Sequence, residues 1–240
     1  MNFKNRVDEL KERSRLKNIY TFTDFLSPTM QTEVGKDNVL LWGGYDLSER
    51  KKACFGNTEE FGYEPDFEIV LLKITPTNIK FREPITHRDI LGAVLNLGIE
   101  RAKIGDILTS EKQSFIFADK KVAGLIKNEL KRVGHSIVFV EEVENLPDEL
   151  KPTINDMKIS VASPRADSIV GATYNLSREK SSELFLKSRV TVNGKELLDG
   201  SKKLKSSDVV SVRGLGKFIF YEECGESRKG KLYIRLGVYK

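Results

Sequence analysis

Hydrophobic residues recur along this chain at two periods, and the period at each place indicates whether a helix or a strand belongs there. Phe3, Val7 and Leu10 share one helical face, in a stretch that also carries Lys4, Arg6, Lys11, Arg13, Arg15 and Lys17 against Asp8, Glu9 and Glu12. That pattern predicts a solvated amphipathic helix with a basic surface. Thr23-Asp24-Phe25-Leu26-Ser27-Pro28 reads as a capped short helix or turn, and Val39 to Trp42 as a strand stopped by Gly43-Gly44. Asp46 to Lys51 reads as an exposed polar segment.

From residue 64 to 144 the rhythm is clearer. Glu68 to Ile74 reads as a strand. Thr86-His87-Arg88-Asp89 has the reciprocal spacing of a capping box, with Asp in place of the usual Glu. The helix it opens places Ile90, Leu91, Val94 and Leu95 inward and stops at Gly98. Strands are predicted over Ile104–Leu108 and Ser114–Ala118, around the polar break 110–113. Asp119 can cap a helix with Val122, Leu125, Ile126, Leu130 and Val133 inward, stopped at Gly134, and Ser136 to Val140 is the last strand. The order β-α-β-β-α-β is that of a ferredoxin-like unit, an arrangement shared with RNA-recognition domains. Phe115 and Phe117 alternate on one strand, as core residues also do, and fold alone assigns no function.

Residues 145–162 read as a linker containing Pro147 and Pro152, with Lys158 to Ser163 as an extended arm. Residues 163–240 form the last region. Pro164 precedes a short helix beginning at Arg165, and Ser177 can cap a second helix running through Lys187. Arg189 to Lys195 is a strand entering an Asn193-Gly194 turn, and Asp208 to Val212 supplies the return strand. The predicted fold class is therefore α+β and multi-domain. It comprises a small helical head (1–63), a central ferredoxin-like, RNA-recognition-like βαββαβ unit (64–144), the linker, and a C-terminal α+β domain ending in a β-hairpin (163–240).

Composition narrows the class. The longest apolar run, Ile69 to Leu72, is far shorter than the ~18 residues of a membrane span, and Met1 to Arg6 has no signal-peptide core, so a cytoplasmic chain without a membrane partner is expected. Cys54 and Cys224 lie far apart without a CxxC, and His87 and His135 are the only histidines, so neither a disulfide framework, a metal site nor a cofactor is expected. The net charge of +5 is unevenly spread. Residues 163–240 hold 16 Lys+Arg against 9 Asp+Glu, while the rest of the chain holds 24 against 26. A strongly basic final third attached to a nearly neutral body points to an anionic partner.

Arg165 and Asp167, then Ser177-Arg178, then Val190 and Val192-Asn193-Gly194, then Asp208 and Val210 form an ordered set that resembles the S4 domain, a small RNA-binding module. Ala166 replaces the family's usual leucine, and Ser188 stands where a glycine usually ends the helix. The resemblance implies that Arg165, Asp167, Ser177, Arg178, Lys180, Lys187, Arg189, Asn193, Lys195, Arg213 and Lys217 form the RNA-binding surface. With Thr23-Asp24-Phe25-Leu26 and Arg213-Gly214-Leu215-Gly216-Lys217-Phe218, the whole chain is similar to the bacterial YlmH family. That likeness implies a ribosome-associated RNA-binding protein, not an enzyme. Its partners would be structured RNA, meaning large-subunit rRNA and tRNA, and the large subunit carrying peptidyl-tRNA during rescue of stalled nascent chains. No small-molecule substrate is implied. Two alternatives remain at this point: an RNA-modifying enzyme docking through the S4 unit, and a cell-division-linked adaptor. Cys54 and His87 are the only candidate nucleophile–base pair. Gly214 to Phe218 lacks the glycine spacing and the Ser/Thr of a phosphate loop.

Overall fold

The first helix forms where the spacing places it. In the computed structural model, which describes residues 2–35, 38–77, 84–228 and 230–240, α1 (Phe3–Lys17) is capped by the Asn2 side chain and buries Val7, Leu10 and Ser14. Lys229 of the basic turn 228–231 lies outside the described residues. The chain divides into two units, Met1–Lys151 and Pro152–Lys240.

In the first unit, β1 (Thr21–Phe22), α2 (Pro28–Gln31), β2 (Val39–Trp42), β3 (Lys52–Phe55) and α3 (Thr58–Phe61) follow α1. The head thus contains an antiparallel three-stranded sheet, ordered β1-β3-β2, where the sequence pattern predicted helices with the single strand Val39–Trp42. Two of these strands went unpredicted because β1 is only two residues long and β3 is buried throughout, so neither shows an alternating pattern.

The central part is ferredoxin-like as predicted. Its elements are β4 (Ile69–Pro76), α4 (His87–Leu95), β5 (Ile104–Thr109), β6 (Ser114–Asp119), α5 (Lys120–Glu129), β7 (Arg132–Val133) and β8 (Ser136–Val143). The sheet order is β5-β6-β4-β8-β7, every neighbouring pair antiparallel. Asp89 serves the capping box: its amide donates to Thr86 Oγ1 and its carboxylate accepts from the Thr86 amide at 2.8 Å. Ile90 and Val94 of α4 and Ala123 and Ile126 of α5 pack on Leu72, Ile74, Ile116 and Ala118. α5 ends before Leu130, so Val133 is buried from the short strand β7 and not from the helix, and Leu125 is 44% exposed rather than inward.

The opposite sheet face is covered by the head. Phe115, Phe117 and Leu71 pack with Phe25, Tyr45 and Leu146, and the Tyr45 ring stacks on Phe117 at 5.2 Å. Polar anchors hold this cover in place. Asp106 accepts hydrogen bonds from Tyr45 Oη at 2.8 Å and from the amides of Glu49 and Arg50. Arg50 donates to the carbonyls of Ile104 and Phe25, and burial pulls its pKa down to about 10. The segment 46–51, predicted as exposed and polar, is therefore docked through its backbone. Lys52 of β3 reaches Asp119 at 2.8 Å, with side chains 3% and 5% exposed, and also donates to the Phe67 carbonyl.

The second unit contains β9 (Ile154–Val161), α6 (Ala166–Thr173), α7 (Arg178–Leu186), β10 (Val190–Val192), β11 (Lys195–Glu196), β12 (Val209–Val212), β13 (Gly216–Glu226) and β14 (Leu232–Tyr239). One sheet, ordered β11-β10-β12-β13-β14-β9, runs through it. Residues 154–161 of the expected linker and arm are thus an edge strand, paired with β14 from Ile154↔Tyr239 to Val161↔Leu232. α6 and α7 bury Ile169, Val170 and Phe185 against Ile159, Val161, Phe218, Phe220, Ile234 and Leu236.

The Lys52–Asp119 pair has a clear consequence for stability. Burial by itself would raise the Asp119 carboxyl, but the Lys52 ammonium and the Lys121 amide together hold it below its ordinary 3.8. A depressed carboxylate contributes stability above the unfolded-state pKa and loses it as pH falls through the folded value. Asp119→Asn, which leaves a buried ammonium unpaired, should cost about 3–5 kcal/mol in urea unfolding at neutral pH. It should also flatten the acid limb of the stability profile below about pH 4. A loss under ~1 kcal/mol would show that the pair is not buried in solution.

Candidate nucleic-acid interface

The helix pair α6–α7 is fixed around one carboxylate. Asp167, 7% exposed, takes a two-pronged contact from Arg165, Nε to Oδ1 at 3.0 Å and a terminal nitrogen to Oδ2 at 2.6 Å. Ser168 Oγ donates to the same carboxylate at 3.3 Å. The Asp167 amide donates to the Gly200 carbonyl, and the Asp167 carbonyl accepts from Ser181 Oγ at 2.6 Å, which ties α7 to α6. Position 200 must be glycine because a Cβ there would stand 2.8 Å from Asp167 Cβ.

These bonds separate the two helix starts chemically. At α6 the amides of Ala166 and Asp167 are spent on the carbonyls of Lys202 and Gly200. At α7, Ser177 Oγ accepts from the Lys180 amide, while among the described residues no protein group bonds the amides of Arg178 and Glu179. Unspent amides at a helix start, with the dipole behind them, favour an anion. Arg178 and Lys180 are exposed there, and Arg178 makes no ion pair among the described residues. A groove of about 360 Å³ beside them is lined by Asp167, Ser168, Gly171, Ala172, Asn175, Leu176 and Arg178.

The structure sorts the expected site residues. Arg165 and Asp167 hold each other. Asn193 is turned inward to the backbone: its amide nitrogen donates to Asp208 at 2.8 Å, and its amide oxygen accepts from the Val209 amide at 2.9 Å. Its φ of 50° and Gly194's of 78° make the tight hairpin turn that the Asn-Gly pair predicts. Lys187 pairs with Glu183, and Lys195 is exposed on β11. Arg189 and Arg213 come together at one end of β10 and β12, where the Arg213 amide donates to the Arg189 carbonyl at 2.8 Å. Lys217 instead lies across the Tyr239 ring, 4.1 Å from its centre, on the sheet face away from the helices. Ser188 adopts the left-handed φ of 51° that a glycine would take, so the turn after α7 keeps its course.

Sequence reasoning missed that opposite face. Tyr233, Arg235, Gly237 and Tyr239 alternate with the core residues Leu232, Ile234, Leu236 and Val238, and this period of two was the available signal.

The first unit offers less for chemistry. Phe115 and Phe117, which an RNA-recognition module would present to bases, are buried beneath the head. Cys54 is 1% exposed, with its thiol pushed up to about 12 by burial, so it stays protonated at neutral pH and is a poor nucleophile. The His87 imidazole, in the first turn of α4, is held below its ordinary value by partial burial and then by Arg101. Among the described residues no group of three or more His, Cys, Asp or Glu could hold a metal ion, and no helix is long and apolar enough to cross a membrane.

Residues 63–146 match the family described as "Putative RNA-binding domain in YlmH". A curated relative, the "Ribosome-associated protein quality control protein P2" of Bacillus subtilis strain 168, is 31% identical over 234 residues, covering 92% of this chain and 87% of its own. The chain belongs to the YlmH family. A solved structure, "Cell division protein ylmH from Streptococcus pneumoniae", is 27% identical and is covered over 88% of its length and 59% of this chain, with a TM-score of 0.47. In this YlmH chain, the family match falls on the ferredoxin-like segment, whereas Arg178 and Lys180, exposed at the start of α7, lie after it.

If Asp167 organises the helix pair, Asp167→Asn should destabilise the protein by about 1.5–3 kcal/mol, the usual worth of hydrogen bonds to a charged group. Thermal unfolding monitored by circular dichroism measures this, and an unchanged midpoint would show that Gly200 and Ser181 suffice without the Arg165 contact.

Proposed function

We propose that this chain is a non-enzymatic, cytoplasmic RNA-binding protein that docks on the large ribosomal subunit and its tRNA. It would act in the quality control of stalled nascent chains. Residues 163–240, read as an S4 domain, would grip structured RNA through the start of α7. The observation that carries this reading is the α7 terminus, where Arg178 and unspent amides sit at the rim of a groove in the most basic third of the chain. Membership of a family with a ribosome-associated relative supports the choice of partner.

The chemistry suits a folded RNA. A guanidinium fork and helix-start amides address phosphate oxygens, and an A-form helix is read through its shape, backbone and 2′-hydroxyls because its major groove is too narrow for side chains. Lys180, together with Arg189 and Arg213, extends positive charge around the α7 contact. Arg165, Asp167 and Asn193 act one step back: they hold the helix pair and hairpin that present these groups. The central ferredoxin-like segment, with its aromatic strand covered, would touch the ribosome by another surface.

Binding of the full chain to purified large subunits tests this. Ser177→Ala with Arg178→Ala should weaken binding about tenfold or more and reduce the slope of log affinity against log salt by about one. Unchanged affinity and slope would remove α7 from the interface. A flat salt response of the unaltered chain would point to protein contacts instead.

A further inference from the structure

The head sheet ends in an open edge. In the order β1-β3-β2, β2 is outermost and pairs only with β3 among the described residues. Edge strands are ordinarily guarded by a lysine, a proline or a covering element, because their unpaired amides and carbonyls recruit another strand. This one is Val39-Leu40-Leu41-Trp42, without a charge or a proline, and its last three side chains are 40%, 36% and 37% exposed.

The surroundings carry one sign of charge. Ala53 and Phe55 of β3 pack with Val7 and Leu10 of α1. Leu40 lies opposite Cys54 and Trp42 opposite Lys52, so both stand on the side of the sheet turned away from α1. On that side Phe22, also opposite Cys54, meets Phe67 at 5.4 Å, and Tyr20 meets Tyr63 at 5.0 Å. The Lys52 ammonium bonds the Phe67 carbonyl at 2.8 Å, which sets Trp42 beside the same segment. Interleaved with these rings are Glu59, Glu60, Glu64, Asp66 and Glu68, all exposed and without an ion pair among the described residues. No lysine or arginine occurs from residue 53 to 72.

We propose that β2 and the adjoining acidic, aromatic rim form a docking site for an extended lysine- and arginine-rich segment of another protein. The segment pairs with the open edge of β2 through its backbone, as in β-strand addition. Its side chains reach the Trp42 and Tyr63 rings and the carboxylates of residues 59–68. A cation suits both partners, since a guanidinium lies flat on an aromatic face and forks onto a carboxylate. Charge argues against the other occupants. Nucleic acid would bring phosphates against the five carboxylates. A second copy paired edge to edge about a two-fold axis would set two such rims side by side. The site is independent of the RNA contact at α7 and gives the first unit a protein partner.

The test uses the full chain and a labelled twelve-residue peptide of alternating arginine and threonine. Binding is followed by anisotropy and by the emission of Trp42, the only tryptophan. The peptide should raise the anisotropy and shift the Trp42 emission. Glu60→Gln combined with Glu64→Gln and Glu68→Gln should weaken binding about tenfold, since exposed ion pairs contribute little singly but add as a set. Trp42→Leu should weaken it about two- to fivefold. Absence of binding at millimolar peptide, or equal affinity of the unaltered chain and the glutamine variant, overturns the proposal. A shift of the Trp42 emission by oligouridine would assign the face to RNA, and a dimer in sedimentation that Trp42→Leu abolishes would assign it to a second copy; either refutes the proposal. Should a variant fail to fold, hydrogen exchange of the unaltered chain decides: slowed exchange within 39–42 on adding the peptide supports the proposal, and unchanged exchange there refutes it.

Discussion

A buried aspartate at the start of α6 governs the geometry of the basic end of this protein. Asp167 is costly to remove from water, and the fold compensates with the Arg165 fork, the Ser168 hydroxyl and a glycine at 200 that lets the neighbouring loop close over it. Through its backbone carbonyl the same residue holds Ser181 of α7. The bonds that satisfy α6 therefore leave α7 correctly placed with its first amides unspent. Chemistry available to a ligand at α7 depends on chemistry already consumed at α6.

The two larger sheets meet the same problem, an apolar face in water, in opposite ways. In the ferredoxin-like segment the face with Phe115 and Phe117 is closed by Phe25 and Tyr45 and locked by Asp106 and Arg50. In the C-terminal sheet the corresponding problem is met with tyrosines under cations, which keep aromatic area at the surface while giving each ring a polar neighbour. Fold resemblance to RNA-recognition modules would direct attention to the first sheet, but there the aromatic strand is covered.

Local signals were legible where a pattern was self-contained. The α1 stripe, the Thr86–Asp89 box, the Asn193-Gly194 turn and the β-α-β-β-α-β order each announce themselves within a few residues. What could not be read depended on distant partners. Ile154 to Val161 looks like a linker until β14, near the other end of the chain, pairs with it. Segment 46–51 looks solvated until Asp106 accepts its amides. At the candidate site, residue types and order singled out one region, but only the structure distinguishes the pair that hold each other, Arg165 and Asp167, from the arginine that faces outward. Ser188 shows the converse: the sequence departs from the usual glycine, yet the backbone keeps the left-handed turn.

The central claim is that RNA contacts the start of α7. Hydrogen–deuterium exchange of the full chain, with and without purified large-subunit RNA, reads those amides directly. The account predicts slowed exchange at 178–179 in the complex while 166–167, already bonded within the protein, change little. Protection confined to the first unit, with 178–179 exchanging as in the free chain, would contradict it.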